Sequence, residues 1–215
     1  MYKTILFDLD GTLTDSAPGI IHSVQYALKK YGIEARDSDL RSFIGPPLIH
    51  SFQEQFGFDH EKALEAVVYY REYFTAGGMF ENSVYPGIEE LLKKLKEDGR
   101  TLCVATSKPE LFSKQILEHF ALTEYFDFIG GAAMDESRTR KVEVLEYALQ
   151  EMQADPAEAV MIGDRKDDME AAHHLGTGNI GVLYGYGSKE ELVNAGASVF
   201  AETPQDIYRI ISGSK

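Results

Sequence analysis

Short apolar runs, most of them leading into a helical pattern, recur along most of the chain. Thr4–Leu9 (TILFDL) opens the series, and Thr101–Ala105 (TLCVA), Phe126–Gly130 (FDFIG), Ala159–Ile162 (AVMI) and Asn179–Leu183 (NIGVL) continue it. Each is short, partly β-branched and bounded by Gly, Asp or Thr, which predicts buried strands. Between them the apolar positions take helical spacing. Ile88, Leu91, Leu92 and Leu95 follow a Pro86-Gly87 entry and precede Gly99, and Val144, Leu145, Ala148, Leu149 and Met152 follow Lys141. Strands alternating with helices predict an α/β fold, a Rossmann-like parallel sheet with helices on both faces.

Residues 15–85 break the alternation. Ile20, Ile21, Val24, Ala27, Leu28 and Tyr31 mark one helix, Leu48, Phe52 and Phe56 a second, and Leu64, Val67, Val68, Arg71 and Phe74 a third. Gly77-Gly78 ends the last helix. The pattern predicts a small all-helical domain at 15–85 inserted after the first strand, with the α/β core formed by 1–14 and 86–215. An insert that leaves and re-enters beside one strand end is expected to cover that end as a lid.

Composition narrows the chemistry. Among 215 residues, 35 Asp and Glu outweigh 21 Lys and Arg, a net charge of −14. Such a surface excludes nucleic-acid polymers and anionic membranes as natural partners, since both reward clustered cations. A small anionic substrate would need local cations or a metal ion. The single cysteine, Cys103, excludes an internal disulfide and a cysteine-rich zinc site. The opening MYKTILFDLD has aspartates where a signal peptide needs an apolar run, and no stretch is apolar over a bilayer's thickness. The expectation is a cytoplasmic protein, a monomer by default.

The candidate chemistry sits at strand ends. The first strand closes in Asp8-Leu9-Asp10-Gly11-Thr12, and two carboxylates two residues apart on a strand point to the same side. In an open α/β sheet that side is the ligand crevice. TLCVA closes in Thr106-Ser107-Lys108, two hydroxyls and a cation. Pro109 is expected to open a helix there, with Thr106 or Ser107 free to act as its N-cap. Lys141 starts a helix after the polar loop Glu136-Ser137-Arg138-Thr139-Arg140. A cation there opposes the helix dipole, so an anionic neighbour is expected. AVMI runs into Gly163-Asp164-Arg165-Lys166-Asp167-Asp168. Two acid clusters meeting at strand ends would repel unless a divalent cation lay between them, and an all-oxygen donor set points to magnesium. His173 and His174 read as surface or packing residues.

Asp8-x-Asp10-Gly11-Thr12, Thr106, Lys141 and Gly163-Asp164-x-x-x-Asp168, in this order and at strand ends, resemble the motifs of the haloacid dehalogenase superfamily. The likeness is to its phosphoglycolate-phosphatase-like or 5′-nucleotidase-like branch with a helical cap, and it covers the whole chain. Ile44-Gly45-Pro46-Pro47-Leu48, Gly78 to Asn82, Ser137 to Lys141 and Gly181 to Ser188 (GVLYGYGS) add to it. Arg140 stands where many relatives have Gly, and no Pro follows Lys141.

The resemblance implies a Mg²⁺-dependent phosphatase acting on a small phosphorylated metabolite. It makes Asp8 the nucleophile, Asp10 the general acid and base, and Thr106 and Lys141 the groups that hold the transferring oxygens. Asp8, the Asp10 carbonyl and Asp164 would hold the metal, with Asp168 orienting metal-bound waters or Lys141. Gly11, Thr12, Ser107 and Lys108 would complete the phosphate site, and Gly45 and Arg71 of the cap would contribute specificity. Dehalogenases and phosphonatases lack an acid at the position of Asp10. A phosphoglucomutase-like transferase or a pyrophosphatase shares every core motif. A catalytically idle phosphate-binding module would show a degraded motif, and none is degraded. No G-x-G-x-x-G follows the first strand, which argues against a dinucleotide-binding protein.

Overall fold

The computed structural model describes residues 2–135 and 137–213. The chain divides into two compact units. One runs up to Thr14 and resumes at Val84, and the other is Asp15–Ser83.

The first unit is built on a parallel sheet, numbered here with the strands and helices of the whole chain. Strand β1 is Thr4–Phe7, β2 Thr14–Asp15, β3 Ser83–Val84, β4 Thr101–Pro109, β5 Phe128–Ala132, β6 Ala159–Gly163, β7 Gly178–Val182 and β8 Phe200–Ala201. Six of them pair in the order β5-β4-β1-β6-β7-β8, while β2 and β3 form a separate two-stranded sheet. The chain builds outward from β1 on one side and then on the other. This opens the crevice of a doubly wound sheet at the carboxyl end of β1.

The helices of this unit are α5 (Ile88–Glu97), α6 (Glu110–His119), α7 (Lys141–Glu151), α8 (Lys166–Leu175), α9 (Lys189–Asn194) and α10 (Pro204–Ser212); α1 to α4 belong to the second unit. In register across the sheet, Leu6 lies opposite Cys103 and Met161. These side chains cluster with Val144, Leu145 and Ala148 of α7 and Ala171 and Ala172 of α8. Their neighbours Ile5, Phe7, Leu102, Val104, Val160 and Ile162 are equally buried and point to the opposite face. Both faces of the sheet are therefore covered, which explains why these strands read as continuous apolar runs. Each fully buried aliphatic side chain contributes roughly 1.5–3 kcal/mol.

Two boundaries differ from the sequence pattern for identifiable reasons. Strand β4 does not stop at Ala105 but continues to Pro109; α6 then starts at Glu110, with Pro109 at its head as expected but as the N-cap residue, and without a side-chain cap from Thr106 or Ser107. Strand β5 starts later than expected because Asp127 is held outside it. Its carboxylate accepts the Leu102 N–H at 2.9 Å and pairs with Lys96 at 2.8 Å. The two-residue β8 carries too little periodicity to be read from sequence.

The second unit comprises α1 (Ala17–Lys29), α2 (Asp37–Leu40), α3 (Leu48–Phe56) and α4 (His60–Thr75). Helix α4 packs against α1 and α3. Its buried residues are Ala63, Ala66, Val67, Tyr70 and Phe74, while Leu64 and Val68 are 40% and 56% exposed. Val67 and Phe74 are thus buried as expected, but Ala63, Ala66 and Tyr70 complete the contact stripe in place of Leu64 and Val68. Phe43, Phe52 and Phe58 form an aromatic core, with ring centroids 5.0 and 5.9 Å apart along the series.

Candidate active site

The residues singled out in the core motifs gather in the first unit, around the carboxyl ends of β1, β4 and β6 and the start of α7. Asp8 follows β1 directly, and its N–H still donates to the Ile162 carbonyl at 2.9 Å, so the sheet ladder sets its position. The chain then turns sharply. The N–H groups of Leu13 and Thr14 both donate to the Leu9 carbonyl, and that of Gly11 to the Thr14 carbonyl. Gly11 takes φ +85°, and a side chain there would overlap the Asp164 carboxylate.

Lys141, the first residue of α7, has the anionic neighbours expected of it. Its Nζ lies 2.6 Å from Asp8 Oδ1 and 2.8 Å from Asp168 Oδ1, and donates to the Ala105 carbonyl at 3.1 Å. Asp168 sits in the first turn of α8 and caps its own helix by accepting the Arg165 N–H at 3.0 Å. Asp164 is fully buried; its Oδ2 accepts the Tyr186 N–H at 2.7 Å, and its Oδ1 faces the Thr12 hydroxyl at 3.4 Å. Thr12 therefore directs its hydroxyl to Asp164. The buried Thr106 hydroxyl accepts the Lys108 N–H at 3.3 Å, and Ser107 is half-buried beside it. Lys108 places its Nζ 2.7 Å from Asp10 Oδ2.

Gly45 and Arg71 lie in the second unit. Gly45 takes φ +106°, and Arg71 is a half-buried residue of α4. Tyr70 is buried and stacks on Phe74 at 5.3 Å, so it belongs to that unit's core. His173 and His174 are exposed in the last turn of α8.

The loop before Lys141 has a structural account, apart from Glu136, which lies outside the described residues. Arg138 donates to the Gly131 carbonyl at 3.0 Å, pairs with Glu110 at 3.2 Å and stacks over Tyr147. Arg140 pairs with Glu143, whose carboxylate also accepts the Thr139 and Arg140 N–H groups at 3.0 Å. Both arginines shape the turn that delivers Lys141.

The stretch after β7 adds residues to the site that the motifs do not include. There Tyr186 supplies its N–H to Asp164, and Tyr184 donates its hydroxyl to the Thr12 carbonyl at 2.9 Å. Gly185 lies so close to Asp164 and the Gly11 carbonyl that any side chain would overlap both. The usable signal was the Gly-Tyr-Gly alternation at a strand end.

Burial dominates the electrostatics. It pushes the Asp164 carboxyl up to about 8, with the charges of Asp168 and Asp8 adding to the shift. Asp168 is also raised, because burial outweighs the attraction of Lys141. Burial alone would lower Lys141, but the charges of Asp168 and Asp8 prevail and raise it.

The charge balance tests whether a metal ion fits. The carboxylates of Asp8, Asp10, Asp164 and Asp168 share this buried region with the ammonium groups of Lys108 and Lys141. With all four carboxylates ionised, two negative charges would be left over, the charge of one divalent cation, and the raised Asp164 carboxyl reflects how strongly the buried cluster resists ionisation without one. Asp8, Asp164 and Asp168 each offer an oxygen, and these atoms lie within 4.8 Å of one another. An all-oxygen set of this kind suits a hard divalent cation.

The chain is similar to known proteins. The family model described as haloacid dehalogenase-like hydrolase matches residues 5–182. A 5′-nucleotidase of Pseudomonas aeruginosa is 47% identical over 89% of this chain and 87% of its own length. The tyrosine-protein kinase PtkA of Mycobacterium tuberculosis is 42% identical over 86% of this chain and 63% of its own. A phosphoglycolate phosphatase of Vibrio parahaemolyticus is 28% identical over 99% of this chain and 97% of its own. The solved structure described as a predicted phosphatase from Clostridium acetobutylicum superposes with a TM-score of 0.96 at 50% identity, covering 99% of both chains. With a family model matching most of its length and a relative 47% identical over 89% of it, the chain belongs to the haloacid dehalogenase-like hydrolases.

Proposed function

We propose that this hydrolase is a magnesium-dependent phosphatase of small phosphomonoesters, of the phosphoglycolate or nucleoside 5′-monophosphate kind. The observation that carries the proposal is the pairing of the Asp8 carboxylate with Lys141 at 2.6 Å, two residues before a second acid, Asp10. Asp8 attacks phosphorus, the ester P–O bond breaks, and an aspartyl-phosphate forms. Asp10 gives its proton to the departing oxygen, then takes one from the water that hydrolyses the intermediate. Lys141 and Thr106 hold the phosphoryl oxygens in line, the positioning on which phosphoryl transfer depends. Magnesium, held by Asp8, Asp164 and the Asp10 carbonyl, would supply the positive charge that lets a carboxylate approach a phosphate.

Residues 15–83 are assigned the choice of substrate, as a cap. The names of the 5′-nucleotidase and phosphoglycolate phosphatase relatives support a small phosphorylated substrate. Water as the acceptor separates this proposal from a mutase, and a monoester substrate separates it from a pyrophosphatase. The test is a panel of phosphate esters and pyrophosphate compared by kcat/KM, with and without magnesium. Magnesium-dependent release of inorganic phosphate from monoesters is expected. Activity confined to sugar-phosphate isomerisation or to pyrophosphate would overturn the proposal.

A further inference from the structure

We propose that Lys108 is a positioning residue that acts through Asp10, rather than a ligand of the substrate phosphate. The inference rests on the proposed role of Asp10 as the acid that serves the leaving oxygen. Lys108 Nζ lies 2.7 Å from Asp10 Oδ2, and the two side chains are only 6% and 9% exposed. The other carboxylate oxygen, Asp10 Oδ1, is buried and has no hydrogen-bond partner among the described residues. A buried acceptor left open in this way is costly unless something fills it during function. The ion pair therefore divides the carboxylate's labour. Oδ2 is anchored, and Oδ1 is held toward the position that the leaving oxygen, and later the attacking water, would take.

The backbone that carries Lys108 is built to hold a fixed position. Strand β4 loses its regular register between Thr106 and Pro109, then pairs again as Pro109 meets Ala132. Within that irregular stretch the Lys108 N–H donates to the Thr106 hydroxyl. Its carbonyl passes so close to Gly131 that a methyl group there would sit 2.6 Å from it. Arg138 ties the two segments together by binding both the Gly131 carbonyl and Glu110. The irregularity turns the lysine into the crevice, and the arginine stiffens it.

The two roles differ in which substrates feel the loss. A phosphate ligand touches the group common to every ester, so removing it lowers kcat/KM uniformly. A residue that aims Asp10 matters in proportion to how badly the leaving oxygen needs a proton. The experiment compares the parent, Lys108→Met and Lys108→Arg on aryl phosphates of graded leaving-group basicity and on one alkyl phosphate, with saturating magnesium. For Lys108→Met we expect kcat/KM to fall by about 10–10²-fold on the alkyl ester and by less than about threefold on p-nitrophenyl phosphate, part of the full general-acid effect. Lys108→Arg should recover part of the alkyl-ester loss.

A double-mutant cycle supplies the second measurement. If Lys108 acts through Asp10, then Lys108→Met should have little further effect in the Asp10→Asn background. A uniform loss across the series, no loss at all, or full additivity with Asp10→Asn would overturn the assignment while leaving the phosphatase proposal intact. A parent enzyme that hydrolyses none of these esters with magnesium would sink both.

Discussion

The Tyr184 hydroxyl donates a hydrogen bond to the carbonyl of Thr12 at 2.9 Å, joining segments 172 residues apart. The bond fastens the segment after β7 to the turn after β1, on either side of Asp164. Tyr184 also packs edge-on against Tyr85 at 4.9 Å, which fixes its ring. Tyr184→Phe keeps that packing and removes only the hydroxyl. A loss of roughly 1 kcal/mol is expected, the usual worth of one such bond. The Mg²⁺ concentration for half-maximal activity should rise, because Asp164 loses part of its support. Urea denaturation and a magnesium titration check the two effects, and unchanged values in both would remove this clamp from the site.

The two aspartates are chemically unequal. Asp8→Asn should abolish phosphoenzyme formation, since an amide is not a competent nucleophile. Asp10→Asn should still react with p-nitrophenyl phosphate, whose phenolate leaves without a proton. It should then stall, because losing the general base costs about 10²–10⁴-fold in the hydrolysis step. Intact mass spectrometry of the quenched Asp10→Asn enzyme should show one added phosphoryl group, and peptide mapping should locate it on Asp8. A modified residue other than Asp8 would refute the assigned roles.

Removal of divalent cations should abolish turnover, and magnesium should restore it. Calcium should restore it poorly, because it takes more ligands at longer distances and would loosen the geometry around Asp8. Magnesium should also raise the melting temperature of the enzyme without substrate, since it binds the folded state alone. Full activity in EDTA would refute the metal assignment.

Glu143 links stability to pH at the turn that presents Lys141. The Arg140 and Thr139 N–H groups, followed by the Arg140 guanidinium, hold its carboxyl down at about 2, against an ordinary value of 4.5. A depressed carboxyl stabilises the fold fully above its unfolded value and loses that contribution as pH falls from about 4.5 toward about 2. Glu143→Gln should therefore cost about 1 kcal/mol at neutral pH, the scale of a lost helix cap. The gap between parent and variant should close as the pH falls through that window. Denaturant unfolding at pH 7, 4 and 3 gives the comparison, and a gap independent of pH would contradict it.

If the second unit selects the substrate, Arg71→Ala should reorder the preferred esters and leave the magnesium requirement alone. Gly45 is a poorer probe, because its φ of +106° makes any substitution strain the backbone. A kcat/KM panel with an unchanged ranking would move specificity into the core loops.

The α/β class, the helical insert and the paired aspartates Asp8 and Asp10 were legible in the sequence because each is local. A strand buried on both faces must be apolar throughout, and a carboxylate pair at its end follows within three residues. Lys141 was legible as well, since a cation at a helix start calls for an anionic neighbour. Other features depended on segments far apart in the chain. Sequence offers Lys108 as a phosphate ligand, because a cation near a hydroxyl suits an anion; only the irregular end of β4, pressed against Gly131, turns it to Asp10. Sequence shows Tyr184 and Gly185 as a glycine-rich stretch, and only the β1-β6-β7 neighbourhood brings them to Thr12 and Asp164. The buried face of α4 was legible only in part, at Val67 and Phe74, for a related reason. Helix contact depends on how closely backbones approach, so Ala63 and Ala66 face inward while Leu64 and Val68 stay in solvent. Periodicity reports which residues avoid water; which partner each one meets is decided by the packing of elements that sequence distance keeps apart.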